Sequence, residues 1–228
     1  MGRIVSSVRS RPALYVELWK IRNRGAQEMT QKDDQVRFIT GANKGLGAAS
    51  ATARNPESAH SAATGAGNTK VLVVYYSLTG NTKSIAEMIR EKTGGDVFEI
   101  ETVKNYPTDY PGIIKEAKRE LETGELPALK KSPPDMSSSD LILVGSPVWW
   151  YTVSTPVMRF FTQADFAGKK VSAFCTHEGG VGKFFPHFKE QAKNAVVLEG
   201  LDLYKPGQAE EGEVDKALDS WLSKLREK

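Results

Sequence analysis

Lys70-Val71-Leu72-Val73-Val74-Tyr75-Tyr76-Ser77-Leu78-Thr79-Gly80-Asn81-Thr82 is the stretch that decides the fold of this 228-residue chain. Its apolar part, Val71–Tyr75, is typical of a β-strand that is covered on both faces of a sheet. Turn residues follow, and the spacing of Ile85, Met88 and Ile89 places three apolar side chains on one face of a helix. A buried strand that passes through a short turn into a helix is the first half of a βαβ unit.

The same alternation continues to the end of the chain. Further strands are predicted at residues 97–100, 141–145, 171–175 and 195–198. Further helices are predicted around residues 113–121, 157–161, 184–188 and 214–225, with Pro186 tolerated only in a first helical turn. Five strands that alternate with five helices predict an α/β fold: a doubly wound, five-stranded parallel sheet between two helical layers, with right-handed crossovers.

Composition limits the class of protein. The chain is 39% hydrophobic and 26% charged, values that are ordinary for globular proteins. Cys175 is the one cysteine, so neither an internal disulfide nor a cysteine zinc cage is possible. No apolar run approaches the roughly 20 residues of a membrane helix, and a net charge of +3 is too small to indicate nucleic-acid binding. We therefore predict a cytoplasmic protein that neither inserts into membranes nor binds nucleic acid.

The charge is unevenly distributed along the chain, and this locates a boundary. Residues 1–69 have a net charge of +5 (10 basic and 5 acidic side chains), whereas residues 70–228 have a net charge of −2 (21 basic and 23 acidic). Residues 55–68 are mostly small or polar and could bury too little apolar surface to offset the entropy of ordering. We predict an N-terminal extension and linker at 1–69, mostly disordered, followed by one domain at 70–228.

Ligands of such sheets bind beyond the carboxyl ends of the strands, and the turn after the first strand is suited to an anion. It supplies hydroxyls, an amide and a glycine directly before a helix, whose free N–H groups and dipole favour a phosphate. The candidate phosphate ligands are Ser77, Thr79, Gly80, Asn81 and Thr82. The turn lacks the Gly-Lys-Ser/Thr ending of a triphosphate loop, so a phosphate monoester held without metal fits best. The alternative is an ordinary helix N-cap.

Two later segments follow the third and fourth strands. The first contains consecutive aromatic residues that suit a flat aromatic ligand, or else plug the end of the sheet; its candidate residues are Ser146, Pro147, Val148, Trp149 and Trp150. The second is polar and glycine-rich, so that backbone groups approach a ligand edge; its candidate residues are Thr176, His177, Glu178, Gly179 and Gly180. A lone loop histidine is more often solvated than catalytic.

Together these three segments resemble the flavodoxin family, and the likeness covers residues 70–204. The sequence Ser77-x-Thr79-Gly80-Asn81-Thr82 is similar to the phosphate loop of that family. The later two segments, with Tyr106-Pro107-x-x-Tyr110, resemble a short-chain microbial branch. The resemblance implies strand order 2-1-3-4-5, for which flavodoxin is the standard example, and FMN as cofactor. It implies that the first segment holds the FMN phosphate and that the other two border the flavin ring, with Trp149 ahead of Trp150 as stacking partner.

The resemblance implies a redox function in one of two forms. The first is an FMN protein that carries electrons between partner proteins; the second is an FMN-dependent NAD(P)H:quinone-type oxidoreductase with a small quinone-like acceptor. Both need the same FMN site. Electron-carrying flavodoxins are usually strongly acidic, which steers docking, and the net charge of only −2 over residues 70–228 weakens the carrier interpretation.

Residues 36–47 give a competing signal, because they look like the first strand and glycine-rich turn of a short-chain dehydrogenase. The acidic ribose ligand expected about 20 residues later is missing, and no Tyr-x-x-x-Lys pair occurs in the chain. A dehydrogenase is therefore the weakest of the three functional hypotheses. We interpret this segment as a vestige, a fusion remnant or the product of a misplaced gene start. Residues 1–25 contain six basic side chains and one acidic side chain, so a transit peptide is an alternative for that part of the extension, ranked below a nonfunctional extension.

Overall fold

The computed structural model describes residues 69–227, in which strands and helices alternate. The strands are β1 (Val71–Tyr75), β2 (Asp96–Glu99), β3 (Leu141–Trp149), β4 (Thr152–Val153), β5 (Lys170–His177), β6 (Val196–Val197) and β7 (Leu201–Tyr204). The helices are α1 (Asn81–Thr93), α2 (Tyr110–Thr123), α3 (Thr155–Gln163), α4 (Phe184–Gln191) and α5 (Glu213–Arg226). The predicted extension, apart from Thr69, and its dehydrogenase-like segment lie outside the described residues. The domain boundary at residue 70 stays a prediction.

The strands form a sheet in the order β2-β1-β3-β5, and both β6 and β7 pair with the outer side of β5. All of these pairings are parallel. The short β4 pairs antiparallel with the end of β3. If β6 and β7 are counted as one outer strand, this is the predicted order 2-1-3-4-5, and the predicted fold is confirmed. Pro186 lies in the first turn of α4, as required.

Two strands are longer than predicted. β3 continues through the segment that we expected to be a loop, as far as Trp149, because residues 148 and 149 pair with β4 in a hairpin. β5 extends to His177, so that Thr176 and His177 belong to a strand and not to the loop after it. The pairing of Thr176 with Pro147 and of His177 with Tyr204 provides the partners that lengthen β5.

The fifth predicted strand, at 195–198, is shorter in the structure, and a further outer strand that was not predicted follows it. β6 covers only Val196–Val197, and the chain resumes pairing at Leu201–Tyr204. Between them the carbonyl of Glu199 accepts hydrogen bonds from two side chains, Ser172 Oγ at 2.6 Å and Trp221 Nε1 at 3.0 Å. These bonds take the place of ladder bonds and explain the break.

The two faces of the sheet are covered by different helices. α1 and α5 pack on one face over a hydrophobic cluster that includes Val73, Leu143, Phe174, Leu218 and Trp221. Because side chains alternate along a strand, the intervening residues face the other side, where α2, α3 and α4 lie in succession. Phenylalanine rings dominate there: Phe161 lies 5.9 Å from Phe166 and 5.2 Å from Phe188, centroid to centroid. In the described part of the chain, no helix is long and apolar enough to span a bilayer.

Candidate functional site

The parallel sheet brings the three predicted segments to one edge. Tyr75 pairs with Gly145 and Pro147 pairs with Thr176, so the carboxyl ends of β1, β3 and β5 stand side by side. The N–H of Tyr76 extends this row by donating to the carbonyl of Gly145 at 3.1 Å. Segments that are separated by up to a hundred residues in sequence therefore border one region.

The turn after β1 leaves the start of α1 open. Gly80 has φ 94°, a conformation that favours glycine, and it precedes α1 without any side-chain hydrogen bond to cap the helix. The hydroxyl of Ser77 accepts from the Gly80 N–H at 3.2 Å, which folds the turn back on itself. Thr79 is exposed and Asn81 is half-buried. The first N–H groups of a helix have no intrahelical acceptor, so this turn offers donors to an anion.

Thr82 is bonded in a way that the sequence did not indicate. Its hydroxyl lies 2.8 Å from the hydroxyl of Thr176, and both side chains are buried. This bond ties the first turn of α1 to the end of β5, across 94 residues of sequence. When one hydroxyl of such a pair donates to the other, the acceptor still has its own hydrogen to donate. Two of the predicted site segments are therefore held together directly.

The segment after β3 is a tight hairpin. Trp150 and Tyr151 form its two-residue loop, with φ values of 49° and 59°. Positive φ at both positions is the requirement of a type I′ turn, which Asn-Gly usually meets. Neighbouring backbone stabilises the turn: the N–H of Lys183 donates to the carbonyl of Tyr151 at 2.9 Å. At Gly182 a Cβ atom would overlap the side chain of Tyr151.

Ser146 and the two tryptophans of this segment differ in their surroundings. Ser146 is fully buried, and its hydroxyl lies 2.9 Å from the Ser154 hydroxyl and accepts from the Ser154 N–H at 3.1 Å. Its side chain therefore holds the hairpin together. Trp150 donates from Nε1 to the carbonyl of Ile114 at 3.0 Å, and the ammonium of Lys118 lies 5.4 Å from its ring centroid. Trp149 is half-buried.

Trp149 belongs to an aromatic cluster. Its ring centroid lies 5.6 Å from that of Tyr76 and 5.1 Å from that of Tyr106, in both cases edge to face. Burial, followed by the charge of Glu120, raises the pKa of Tyr76 well above its ordinary value. Burial is also the main reason why the pKa of Tyr106 is raised. Both phenols therefore stay protonated, and the hydroxyl of Tyr106 donates to Glu120.

A buried carboxylate, that of Glu120, is hydrogen-bonded to Tyr106 of this cluster. Glu120 is completely buried, and it accepts from the Tyr106 hydroxyl at 2.9 Å and from the Thr155 hydroxyl at 2.5 Å. Lys104 forms an ion pair with it. Sequence reasoning missed Glu120, although the Tyr106 motif that we singled out supplies one of its donors. A buried charge with three donors is the usual condition under which a carboxylate is tolerated inside a protein.

The third segment presents backbone and a histidine. His177 ends β5, and its Nδ1 lies 2.6 Å from the carbonyl oxygen of Gly179. Glu178, Gly179 and Gly180 are exposed, and Gly180 lies beside the ring of Tyr151 in the hairpin. Residues 69–227 contain no group of three or more His, Cys, Asp or Glu side chains that could hold a metal ion.

A flavodoxin family model matches residues 70–224, which is most of the chain. The chain belongs to the flavodoxin family. The resemblance inferred from the three segments is thereby confirmed, together with the order of the strands.

Two known proteins are similar to this flavodoxin-family chain. An NAD(P)H dehydrogenase (quinone) of Cupriavidus metallidurans is 31% identical over 153 residues, which cover 61% of this chain and 74% of that protein. A flavoprotein of Lactobacillus acidophilus, solved in complex with FMN, is 28% identical with a TM-score of 0.55. That comparison covers 65% of this chain and 97% of the other.

Proposed function

We propose that the domain binds FMN at the carboxyl edge of the sheet and acts as a redox protein. The observation that carries the proposal is the uncapped start of α1 at Gly80, beside the Thr82–Thr176 hydroxyl pair, in a flavodoxin-family fold. The FMN-bound relative from Lactobacillus acidophilus supports the same cofactor.

The residues at this edge fit the chemical groups of FMN. Amides around Gly80 and the hydroxyls of Thr79 and Thr82 would hold a phosphate monoester, because a helix start favours a dianion. Trp149 would border a flat ring at low entropic cost, because the rings of Tyr76 and Tyr106 already pack edge to face against it. The exposed backbone at 178–180 would border another side of the ring.

When bound, FMN supplies hydride and single-electron transfer, and the protein contributes binding and electrostatics. The start of α1 at Gly80 would place positive dipole charge near the FMN phosphate. The Glu120 network keeps the Tyr106 ring, and through it Trp149, in one position.

The phosphate assignment is tested by comparing FMN with riboflavin, which lacks the phosphate. Thr79→Ala combined with Thr82→Ala is expected to weaken FMN far more than riboflavin, since each lost bond to a charged group costs about 1.5–3 kcal/mol, about ten- to a hundredfold in Kd. Titration by flavin fluorescence measures both affinities. Thr82→Ser, which keeps the hydroxyl, and Thr123→Ala on the exposed end of α2 are the controls. Equal losses for the two ligands would show that these hydroxyls do not meet the phosphate.

Between the two redox functions, we favour the FMN-dependent NAD(P)H:quinone-type oxidoreductase over the electron carrier. The Cupriavidus metallidurans relative is an NAD(P)H dehydrogenase (quinone). The near-neutral charge of residues 70–228 also gives little of the acidic steering field that a carrier uses. The decisive experiment loads the full chain with FMN and follows NADH or NADPH oxidation with a benzoquinone. Rapid turnover without any partner protein supports the enzyme; flavin reduction only by an added reductase supports the carrier.

A further inference from the structure

One ring nitrogen of His177 has a hydrogen-bond partner and the other has none within residues 69–227. Its side chain is only 7% exposed, and Nδ1 lies 2.6 Å from the carbonyl oxygen of Gly179. Since a carbonyl oxygen only accepts, Nδ1 carries the hydrogen of that bond. In the neutral ring Nε2 is therefore the nitrogen without a hydrogen, and it is an acceptor.

The surroundings of Nε2 suit a nitrogen that passes a proton to a neighbouring group. Nε2 is buried and has no hydrogen-bond partner within residues 69–227. The carboxylate oxygen Oδ2 of Asp202 lies 3.5 Å away, and the Asp202 side chain is 56% exposed. With a neutral imidazole the two atoms are both acceptors, whereas a proton on Nε2 turns them into an ion pair. The pair thus joins a buried proton site to a carboxylate that reaches the surface.

Four other polar or charged groups surround this pair. The exposed ring of Tyr204 lies 5.6 Å from the imidazole, and the ammonium of Lys205 lies 5.5 Å from the Tyr204 ring. Glu178 follows His177 in the chain and is exposed. Cys175 is buried in the same strand, and the pKa of its thiol is raised, first by burial and then by the charge of Asp202. The field of Asp202 therefore acts on this side of β5.

The pair lies at the edge where the cofactor is proposed to bind. His177 pairs with Tyr204 at the ends of β5 and β7, and the N–H of Lys205 donates to the His177 carbonyl at 2.8 Å. Thr176, the preceding residue, contacts Thr82 of the proposed phosphate site. An electron acceptor that approaches the cofactor from the β7 side would meet the exposed Asp202 carboxyl group.

We propose that His177 and Asp202 form a proton-transfer pair that protonates the electron acceptor, a quinone, during its two-electron reduction. This inference rests on the proposed oxidoreductase function. The quinone takes two electrons and one proton as a hydride from the reduced cofactor, which leaves a hydroquinone anion. The single proton held on Nε2 of His177 then passes to the Asp202 carboxylate and from there to the anionic oxygen, giving the hydroquinone, and solvent water returns a proton to Nε2. Asp202 is the residue that contacts the acceptor; His177 acts through it.

The test separates acceptors that need a proton from those that do not. The full chain is loaded with FMN, reduced with dithionite and mixed in a stopped-flow instrument with either a benzoquinone or ferricyanide, which takes electrons without protons. The variants are His177→Gln, Asp202→Asn and the conservative Asp202→Glu. The matched control is Asp96→Asn, an exposed carboxylate at the start of β2. Each rate is also measured in deuterated water.

We expect the ratio of the quinone rate to the ferricyanide rate to fall about 10²-fold in His177→Gln and Asp202→Asn, a typical contribution of a positioned proton donor. Asp202→Glu should recover most of the ratio, and Asp96→Asn should match the unsubstituted protein. The solvent isotope effect on the quinone rate should shrink in the two disabled variants, a change that loss of packing alone does not produce.

Two results would overturn the proposal. If the ratio in both disabled variants stays within about twofold of the unsubstituted protein, the pair does not supply the proton and the oxidoreductase function is unaffected. If the unsubstituted protein binds no FMN, or its reduced form reacts with neither acceptor, the proposed function itself fails and the inference fails with it. Should His177→Gln not fold, the exposed Asp202→Asn alone decides the outcome.

Discussion

The two faces of the sheet are stabilised by different interactions. The face under α1 and α5 is dominated by a continuous cluster of hydrophobic side chains, and the polar side chains buried on it include three hydroxyls, those of Thr82, Ser172 and Thr176. The face under α2, α3 and α4 also packs aromatic rings, but it buries more hydrogen-bonded polar groups among them: Glu120, Ser146, Thr152, Ser154, Thr155 and His187. Hydrophobic burial is non-directional, whereas hydrogen bonds fix distance and angle. The first face supplies stability, and the second also fixes the positions of the aromatic residues at the proposed site.

The largest loss should come from the hydrophobic face. Phe174→Ala removes a fully buried ring that lies 6.2 Å from Trp221 and packs on Gly145, and we expect it to lower the free energy of unfolding by about 3–5 kcal/mol. Urea denaturation followed by tryptophan fluorescence measures this. Val103→Ala, at a side chain that is 62% exposed, is the control and should change stability by less than about 0.5 kcal/mol. Similar values for the two variants would contradict the assignment of stability to this face.

The polar face should show a smaller but position-sensitive loss. Glu120→Gln keeps the shape of the side chain but removes the charge that accepts from Tyr106 and Thr155, and it should cost about 1.5–3 kcal/mol. The near-ultraviolet circular dichroism of the Trp149 cluster should change as well. Glu122→Gln breaks only an exposed pair with Lys118 at 3.8 Å and should cost well under about 1 kcal/mol. A spectrum unchanged in Glu120→Gln would mean that the carboxylate does not position the rings.

The β3–β4 hairpin can be tested by comparing alanine substitutions at two glycines with positive φ, Gly182 beside the hairpin and Gly168 as the control. Gly182→Ala combines a φ of 56° with overlap against Tyr151, whereas Gly168→Ala has a φ of 80° and no atom within 4 Å of its new Cβ. The backbone penalty of about 1–2 kcal/mol is common to both. We therefore expect Gly182→Ala to be the more destabilising in thermal unfolding and to weaken FMN binding in addition. Equal changes would show that the contact with Tyr151 contributes nothing.

The smallest expected effect is a loss of stability at low pH. Hydrogen bonds from Arg119 and then Lys104 lower the pKa of Glu116 from 4.5 to about 2. Because the folded pKa is below the unfolded one, this stabilisation is present above pH 4.5 and is lost as the pH falls towards 2. The pair is partly solvated, so the loss should be at most about 1 kcal/mol. Unfolding of the protein and of Glu116→Gln at pH 5 and pH 3 measures it; parallel losses would contradict the prediction.

Sequence patterns located the framework because burial on both faces leaves an unmistakable apolar run, as at Val71–Tyr75 and in the first five residues of β3. They did not indicate that β3 continues into a hairpin, because Trp150-Tyr151 carries none of the Asn or Gly that marks a type I′ turn. Tertiary contacts stabilise the conformation there: the N–H of Lys183 donates to the carbonyl of Tyr151, and Gly182 lies against Tyr151.

The polar groups of the site were harder to predict than its loops. Glu120 lies in a helix rich in Lys, Arg and Glu, a composition typical of an exposed face, and only the arrival of Lys104, Tyr106 and Thr155 makes its burial possible. The Thr82–Thr176 bond likewise joins distant residues and leaves no local signal. The sequence identified the hydroxyl-rich segments as candidate parts of the binding site. Which of their hydroxyls bond to the protein itself depends on tertiary contacts.

The broken outer strand has a consequence for solubility under stress. A long, unpaired edge strand offers a template on which a second chain can extend the sheet. Here one margin of the sheet is β2, four residues that begin and end with an acidic side chain, and the other consists of two residues and four residues separated by the break at Glu199. Neither margin presents the continuous row of backbone donors and acceptors that edge-to-edge aggregation requires. If the Ser172 and Trp221 donors were removed and the outer strand became continuous, the row of unpaired backbone donors and acceptors would lengthen. We expect this to favour aggregation.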